Sequence, residues 1–148
     1  MQRGELRRRM GMALALLVVA TGTPGCLQPA APVRAPEGGT RLVLDFPTFR
    51  DSVEPVLVAH GCDAGGDCHG GGIRGTLELS PQSAKDVHFD FDQVSMQVYP
   101  TLRDSSEILL QPLAIGAGGH PHPVKVFTTK TDPEWLTIDA WVHAGVLQ

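Results

Sequence analysis

The chain has 148 residues, with 12 basic and 16 acidic side chains, a formal charge of −4 and 42% apolar residues. That length suits one small domain with flanking segments, and the acidic balance argues against nucleic acid and against polybasic attraction to anionic lipid. No Gly-x-Ser-x-Gly, Walker or His-Glu-x-x-His pattern occurs, so hydrolase and nucleotide-binding chemistry have no residue-level support.

In chain order, Arg3, Arg7, Arg8 and Arg9 form a basic start, followed by an apolar run from Gly11 to Ala20. The run is too short for a membrane-spanning helix and reads as an export signal over residues 1–25. Thr23-Pro24-Gly25-Cys26 resembles the lipobox of bacterial lipoproteins, which would make Cys26 the lipidated residue. The other reading is an ordinary cleaved signal that leaves Cys26 as a stray thiol. Lipidation would leave Cys62 and Cys68 as one pair in an oxidising compartment. Residues 1–25 hold four of the basic and one of the acidic side chains, so their removal leaves a charge of about −7. Residues 26–40, with Pro29, Pro32, Pro36 and Gly38-Gly39, read as a flexible tether. The folded domain is expected over residues 41–148.

Within it, Phe46, Phe49, Val53, Val56 and Leu57 recur at helical steps, predicting a helix to about His60 that Pro55 bends and Gly61 ends. Residues 62–75 are a Gly-rich loop. Leu77 and Leu79 alternate with polar neighbours over too short a run to predict a sheet. Phe91, Val94 and Val98 give a weak helical face, and Ser105 is the expected cap of a short helix through Ile108, Leu109, Leu110 and Leu113. Residues 116–123 form a second loop ending His120-Pro121-His122-Pro123. Thr131 or Asp132, then Pro133, starts a last helix with Trp135, Ile138, Trp141 and Val142 on one face, and Gly145 stops it. The fold class expected is mainly α, with long Gly/Pro-rich loops.

The chemistry concentrates in His60-Gly61-Cys62-Asp63-Ala64-Gly65-Gly66-Asp67-Cys68-His69-Gly70. Two thiols followed by a histidine are what covalent attachment of haem c requires: each sulfur adds across a vinyl group and the imidazole binds the iron. The usual spacing is two residues; here it is five. The intervening residues must therefore bulge outward, which Gly65 and Gly66 permit. A disulfide between Cys62 and Cys68 is the second reading but leaves His69 without a role. Zinc held by Cys62, Cys68, His69 and a later histidine is the third, without the familiar Cys-x-x-Cys spacing. His60 can contact a haem propionate or serve structurally at a helix end. His88, His143, Asp63, Asp67 and Glu78 read as surface groups.

The Phe-x-x-x-Val-x-Pro-x-Leu helix entering Cys…Cys-His-Gly resembles the small c-type cytochrome domains of bacterial secreted and lipid-anchored proteins. Gly75-Thr76-Leu77-Glu78-Leu79, Ser105-Ser106-Glu107-Ile108-Leu109 and Trp141-Val142-His143-Ala144-Gly145 fit the same pattern. The resemblance implies a small cytochrome c-like helical domain whose first and last helices cross, setting Phe49 and Val53 against Ile138 and Trp141. It implies thioether attachment at Cys62 and Cys68, with His69 as proximal iron ligand. A histidine often lies between a glycine cluster and an aromatic in such domains, so the distal ligand is expected at His122, with His120 and Met96 as alternatives.

The expected role is one-electron transfer with a redox partner protein, without enzymatic turnover. The domain would be tethered through Cys26 to the outer membrane, facing the periplasm or the surface. The alternative role is a haem-free envelope lipoprotein with a Cys62–Cys68 disulfide.

Overall fold

Pro55 carries no amide hydrogen, and the first helix is reorganised just ahead of it. In the computed structural model, which describes residues 41–65, 68–71 and 75–148, α1 (Phe46–Thr48) passes into a π-helical stretch, Phe49–Val53, and then into α2 (Glu54–Ala59). The amide of Glu54 donates five residues back, to the carbonyl of Phe49. This widened turn absorbs the amide missing at Pro55 while keeping Phe49, Val53, Val56 and Leu57 all inward. The expected helix is therefore present, loosened at its proline. Asp45 caps its start through Thr48 N–H at 2.7 Å.

The other helices are short. α3 (Val87–Ser95) starts at Asp86, whose carboxylate accepts from His88 N and Phe89 N, both at 3.1 Å. α4 (Glu107–Leu110) starts at Ser106, one residue after the expected Ser105. The Ser106 hydroxyl is turned to accept from Tyr99 N at 3.0 Å instead of capping its own helix. Pro112 prevents α4 from reaching Leu113. α5 (Pro133–Ala144) begins after Asp132 with proline in its first turn and ends at Gly145, as its sequence predicts.

Trp135, Ile138, Trp141 and Val142 of α5 are all buried. Trp141 packs on Phe49 with ring centroids 5.3 Å apart, and its indole N–H donates to Asp45 O at 2.9 Å. Val53, Val94, Leu109, Leu113 and Phe127 complete the same core. The helix stripes thus meet in one cluster, which supplies the main stabilisation of a domain this small.

Two short strands pair the ends of the domain: β1 (Leu42–Val43) runs antiparallel to β2 (Val146–Leu147), with Leu42 opposite Leu147. A Cβ at Gly145 would lie 2.8 Å from Leu44 Cδ2, so glycine there lets β2 reach β1. The described residues are mainly helical and belong to one unit, Gly38–Gln148. Among them no helix is long and apolar enough to cross a membrane. The signal at 1–25, Cys26 and the tether at 26–40 lie outside the described residues.

Candidate functional site

α2 ends in a way that delivers Cys62 to the core. Gly61, at φ +67°, donates to Val58 O at 3.0 Å, and Cys62 N donates to Leu57 O at 2.9 Å. These two bonds are a Schellman closure, with Gly61 in the left-handed conformation it needs. The chain then loops out and comes back. The amide of His69 donates to Cys62 O at 2.9 Å, and that of Gly70 to Ala64 O at 3.0 Å. In a continuous helix a carbonyl bonds the amide four residues on. Here the partner is seven residues on, so the insertion is spliced out and its ends join as neighbours. Gly70 makes the splice possible, because a Cβ there would fall 1.7 Å from Asp63 O.

The segment after the loop grips His69. Leu79 N donates to His69 O at 2.9 Å, Gly71 N donates to Leu79 O at 3.0 Å, and the His69 ring meets Leu77 O through Nδ1 at 3.0 Å. A carbonyl can only accept, so Nδ1 carries the proton and Nε2 is the basic nitrogen. This oriented imidazole, whose second nitrogen has no hydrogen bond among the described residues, resembles the usual preparation of a metal-binding histidine.

The second loop is rooted on α4. Gly119 N donates to Ala114 O at 3.0 Å and His120 N to Leu110 O at 2.9 Å, while Val126 and Phe127 return by donating to Pro112 O at 2.9 and 3.0 Å. Gly119 is confined as Gly70 is: a Cβ there would meet Leu113 O at 1.9 Å. Residues 120–125 thus project as a closed loop, and its His122 ring lies 6.0 Å from that of His69, with planes 19° apart. His122 Nδ1 meets Val124 O at 2.6 Å and Val124 N at 3.3 Å. These contacts ask for opposite protonation; the shorter one governs, placing the proton on Nδ1 and leaving Nε2 basic.

The other expected ligands are differently engaged. His120 Nδ1 lies 3.1 Å from Glu107 Oε2. Burial alone would raise Glu107, but Gln111 and His120 hold it below the ordinary carboxylate range. Met96 follows α3 with 61% of its surface exposed. His60 is bonded to Glu134 Oε2 at 2.6 Å and lies edge-on to Phe127. His88 stacks on Phe46, and His143 bridges Asp104 and Asp139 at 3.1 and 3.2 Å. Cys62 and Cys68 are unbridged thiols. Among the described residues, no three ligand atoms of Cys62, Cys68, His69 and His122 lie within 4.8 Å of one another, so the four-ligand zinc site expected as a third reading is not assembled.

Asp63 corrects the sequence reading. Expected as a solvated loop charge, it is fully buried, accepting from Gln82 Nε2 at 3.0 Å and facing Lys85 Nζ at 3.0 Å. Lys85 also meets Glu54 Oε1 at 2.6 Å and Asp90 Oδ2 at 2.8 Å. Asp90 is well served, accepting from Ser80 N and Oγ as well. Glu54 is not: both its oxygens lack a directed hydrogen bond although the residue is only 5% exposed. Burial pushes its carboxyl up, against the charge of Lys85. Burial alone would lower Lys85, but Asp90, Glu54 and Asp63 lift it above its ordinary value. The Cys62 thiol is pushed up to about 11, by burial first and then by the charges of Asp63, Cys68 and Glu54. Asp67, the other acidic residue of the insertion, lies outside the described residues. Glu78 is half-buried.

No family model, curated protein or solved structure matches this chain.

Proposed function

We propose that the chain is a cytochrome c-like, lipid-anchored carrier of one haem c that moves single electrons in the cell envelope. The observation that supports this reading is the approach of the His69 and His122 rings, with centroids 6.0 Å apart, where Cys68 precedes His69 in the chain and Cys62 O accepts from the His69 amide. The donor set fits the group: two thiols for its vinyls and two basic nitrogens for its iron. The bond from His69 N to Cys62 O supports this reading, since it brings an attachment point and the expected ligand together although six residues lie between them in the chain. When bound, haem supplies the one-electron couple of its iron.

The chain's own residues would hold that group. Cys62 and Cys68 would hold the macrocycle by thioether bonds, and Leu77 O fixes the His69 tautomer that leaves Nε2 as the basic nitrogen for its iron. His122 is preferred over His120, which is committed to Glu107, and over Met96. With both His69 and His122 as ligands, the iron would have no position left for a substrate or a gas, which favours electron carriage over catalysis. Two imidazoles also give a lower potential than imidazole with a thioether. The donor and acceptor are redox proteins of the envelope, and Cys26 provides the anchor to the outer membrane.

A haem-free lipoprotein with a Cys62–Cys68 disulfide is the alternative, because the same splice would also suit a short cross-linked loop. It leaves the His69–His122 pair without a purpose. Cys68→Ala separates the two readings: haem-stained protein should drop sharply, and an unchanged stained band would exclude thioether attachment at Cys68.

A further inference from the structure

Beneath the attachment loop lies a charge cluster that the electron-carrier reading does not use. It joins α2 through Glu54, the loop through Asp63, and α3 through Asp90, around the single ammonium of Lys85. Three carboxylates and one ammonium, all ionised, leave two uncompensated negative charges in a site where Asp63 and Asp90 are fully buried. Such an excess is costly in a low-dielectric surround, and one proton relieves it. Asp90 accepts three hydrogen bonds and Asp63 accepts from Gln82 at one oxygen while its other lacks a directed bond, whereas neither oxygen of Glu54 has one. Glu54 is therefore the carboxylate on which a proton costs the fewest interactions.

We propose that Glu54 takes up a proton when the domain is reduced and releases it on oxidation, so that the protein carries one proton with each electron. This rests on the haem reading above. The cluster lies against the attachment point, because Asp63, which shares Lys85 with Glu54, directly follows Cys62, and the charges of Asp63 and Glu54 disfavour a thiolate there. The same field disfavours an electron added to a group bonded there, and by reciprocity that electron favours protonation of Glu54. The groups acting on Glu54 are Lys85, Asp90 and the Cys62 thiol, with Asp63 on the far side of Lys85, and none of them supplies a hydrogen bond to its second oxygen. The balance is simple. An external one-electron donor reduces ferric to ferrous iron, solvent gives one proton to a Glu54 oxygen, and no other bond changes. Lys85, whose side chain is 25% exposed, connects the cluster with solvent.

The test is a redox titration of the intact haem protein from pH 5 to pH 9, on wild type and Glu54→Gln. Wild type should lose affinity for its electron as pH rises, by up to tenfold per pH unit, or about 59 mV for one electron. Glu54→Gln, which mimics the protonated acid, should hold a nearly constant and higher potential. A pH-independent wild type overturns the inference, and so does a slope that survives the substitution. The infrared difference between reduced and oxidised wild type gives a second readout that needs no variant. A carboxyl C=O band should appear on reduction, and its absence overturns the inference. Colourless protein would remove the haem reading and this inference together, whereas coloured protein with a flat potential removes this inference alone.

Discussion

His69 donates its backbone amide to the carbonyl of Cys62 at 2.9 Å, joining residues that stand seven apart in the chain. The bond does locally what one turn of helix does between a carbonyl and the fourth amide beyond it. Asp63, the first residue between them, is turned into the core to meet Lys85 and Gln82. The loop is thus held at its mouth by backbone and from inside by charge.

The mouth depends on Gly70. A methyl group there would overlap Asp63 O, so Gly70→Ala should destabilise the domain by about 3 kcal/mol, the cost of forced overpacking. Gly116→Ala, where nothing lies within 4 Å, should change stability by less than about 0.5 kcal/mol. Urea unfolding of the two variants compares them directly, and equal midpoints would mean that the splice does not constrain the fold.

Ligation should separate two histidines that stand two residues apart. His122→Ala should open an iron position and convert a low-spin absorption spectrum to a high-spin one, with added imidazole restoring the original. His120→Ala should leave the spectrum unchanged while freeing Glu107. The opposite pattern in visible absorption would assign the distal position to His120, and a high-spin wild type would leave it without a ligand.

Lys85→Met removes the only cation of the buried cluster and should cost about 3 kcal/mol at neutral pH. The pH dependence has a definite sign. Burial already raises Glu54, and losing Lys85 raises it further. A carboxyl with a raised folded-state pKa binds its proton more tightly folded than unfolded, so stability is fullest at low pH. It declines as pH climbs from the ordinary carboxylate value through the raised one. The variant should therefore recover part of its loss near pH 4.5. In wild type, the raised Lys85 adds stability that persists to its ordinary value of 10.5 and is lost only above it. Chemical unfolding across pH measures both; a deficit in the variant that is constant with pH would contradict the assignment.

Local signals were legible in the sequence and long-range pairings were not. α5 announces itself because Asp132, Pro133, the Trp135–Ile138–Trp141–Val142 face and Gly145 all act within one segment. The disturbance before Pro55 was equally readable, since a missing amide has a local consequence, although its π-helical form was not. The β1–β2 pairing escapes notice because two-residue strands show no alternation and their partners lie at opposite ends of the domain. Asp63 misleads for the same reason. A carboxylate among glycines reads as solvated, and only the fold brings Lys85 from 22 residues away. The residues of the candidate site could be listed from their types, but the approach of His122 to His69 depends on how Gly119 seats the second loop against Leu113.

The central claim is that Cys62 and Cys68 bind haem covalently, and a pyridine haemochrome spectrum with intact mass tests it most directly. The protein should be purified from its native envelope. A c-type α-band together with the added mass of one haem is the expected result. Colourless protein, two hydrogens lighter than its reduced form, would contradict it and identify a disulfide-closed lipoprotein instead.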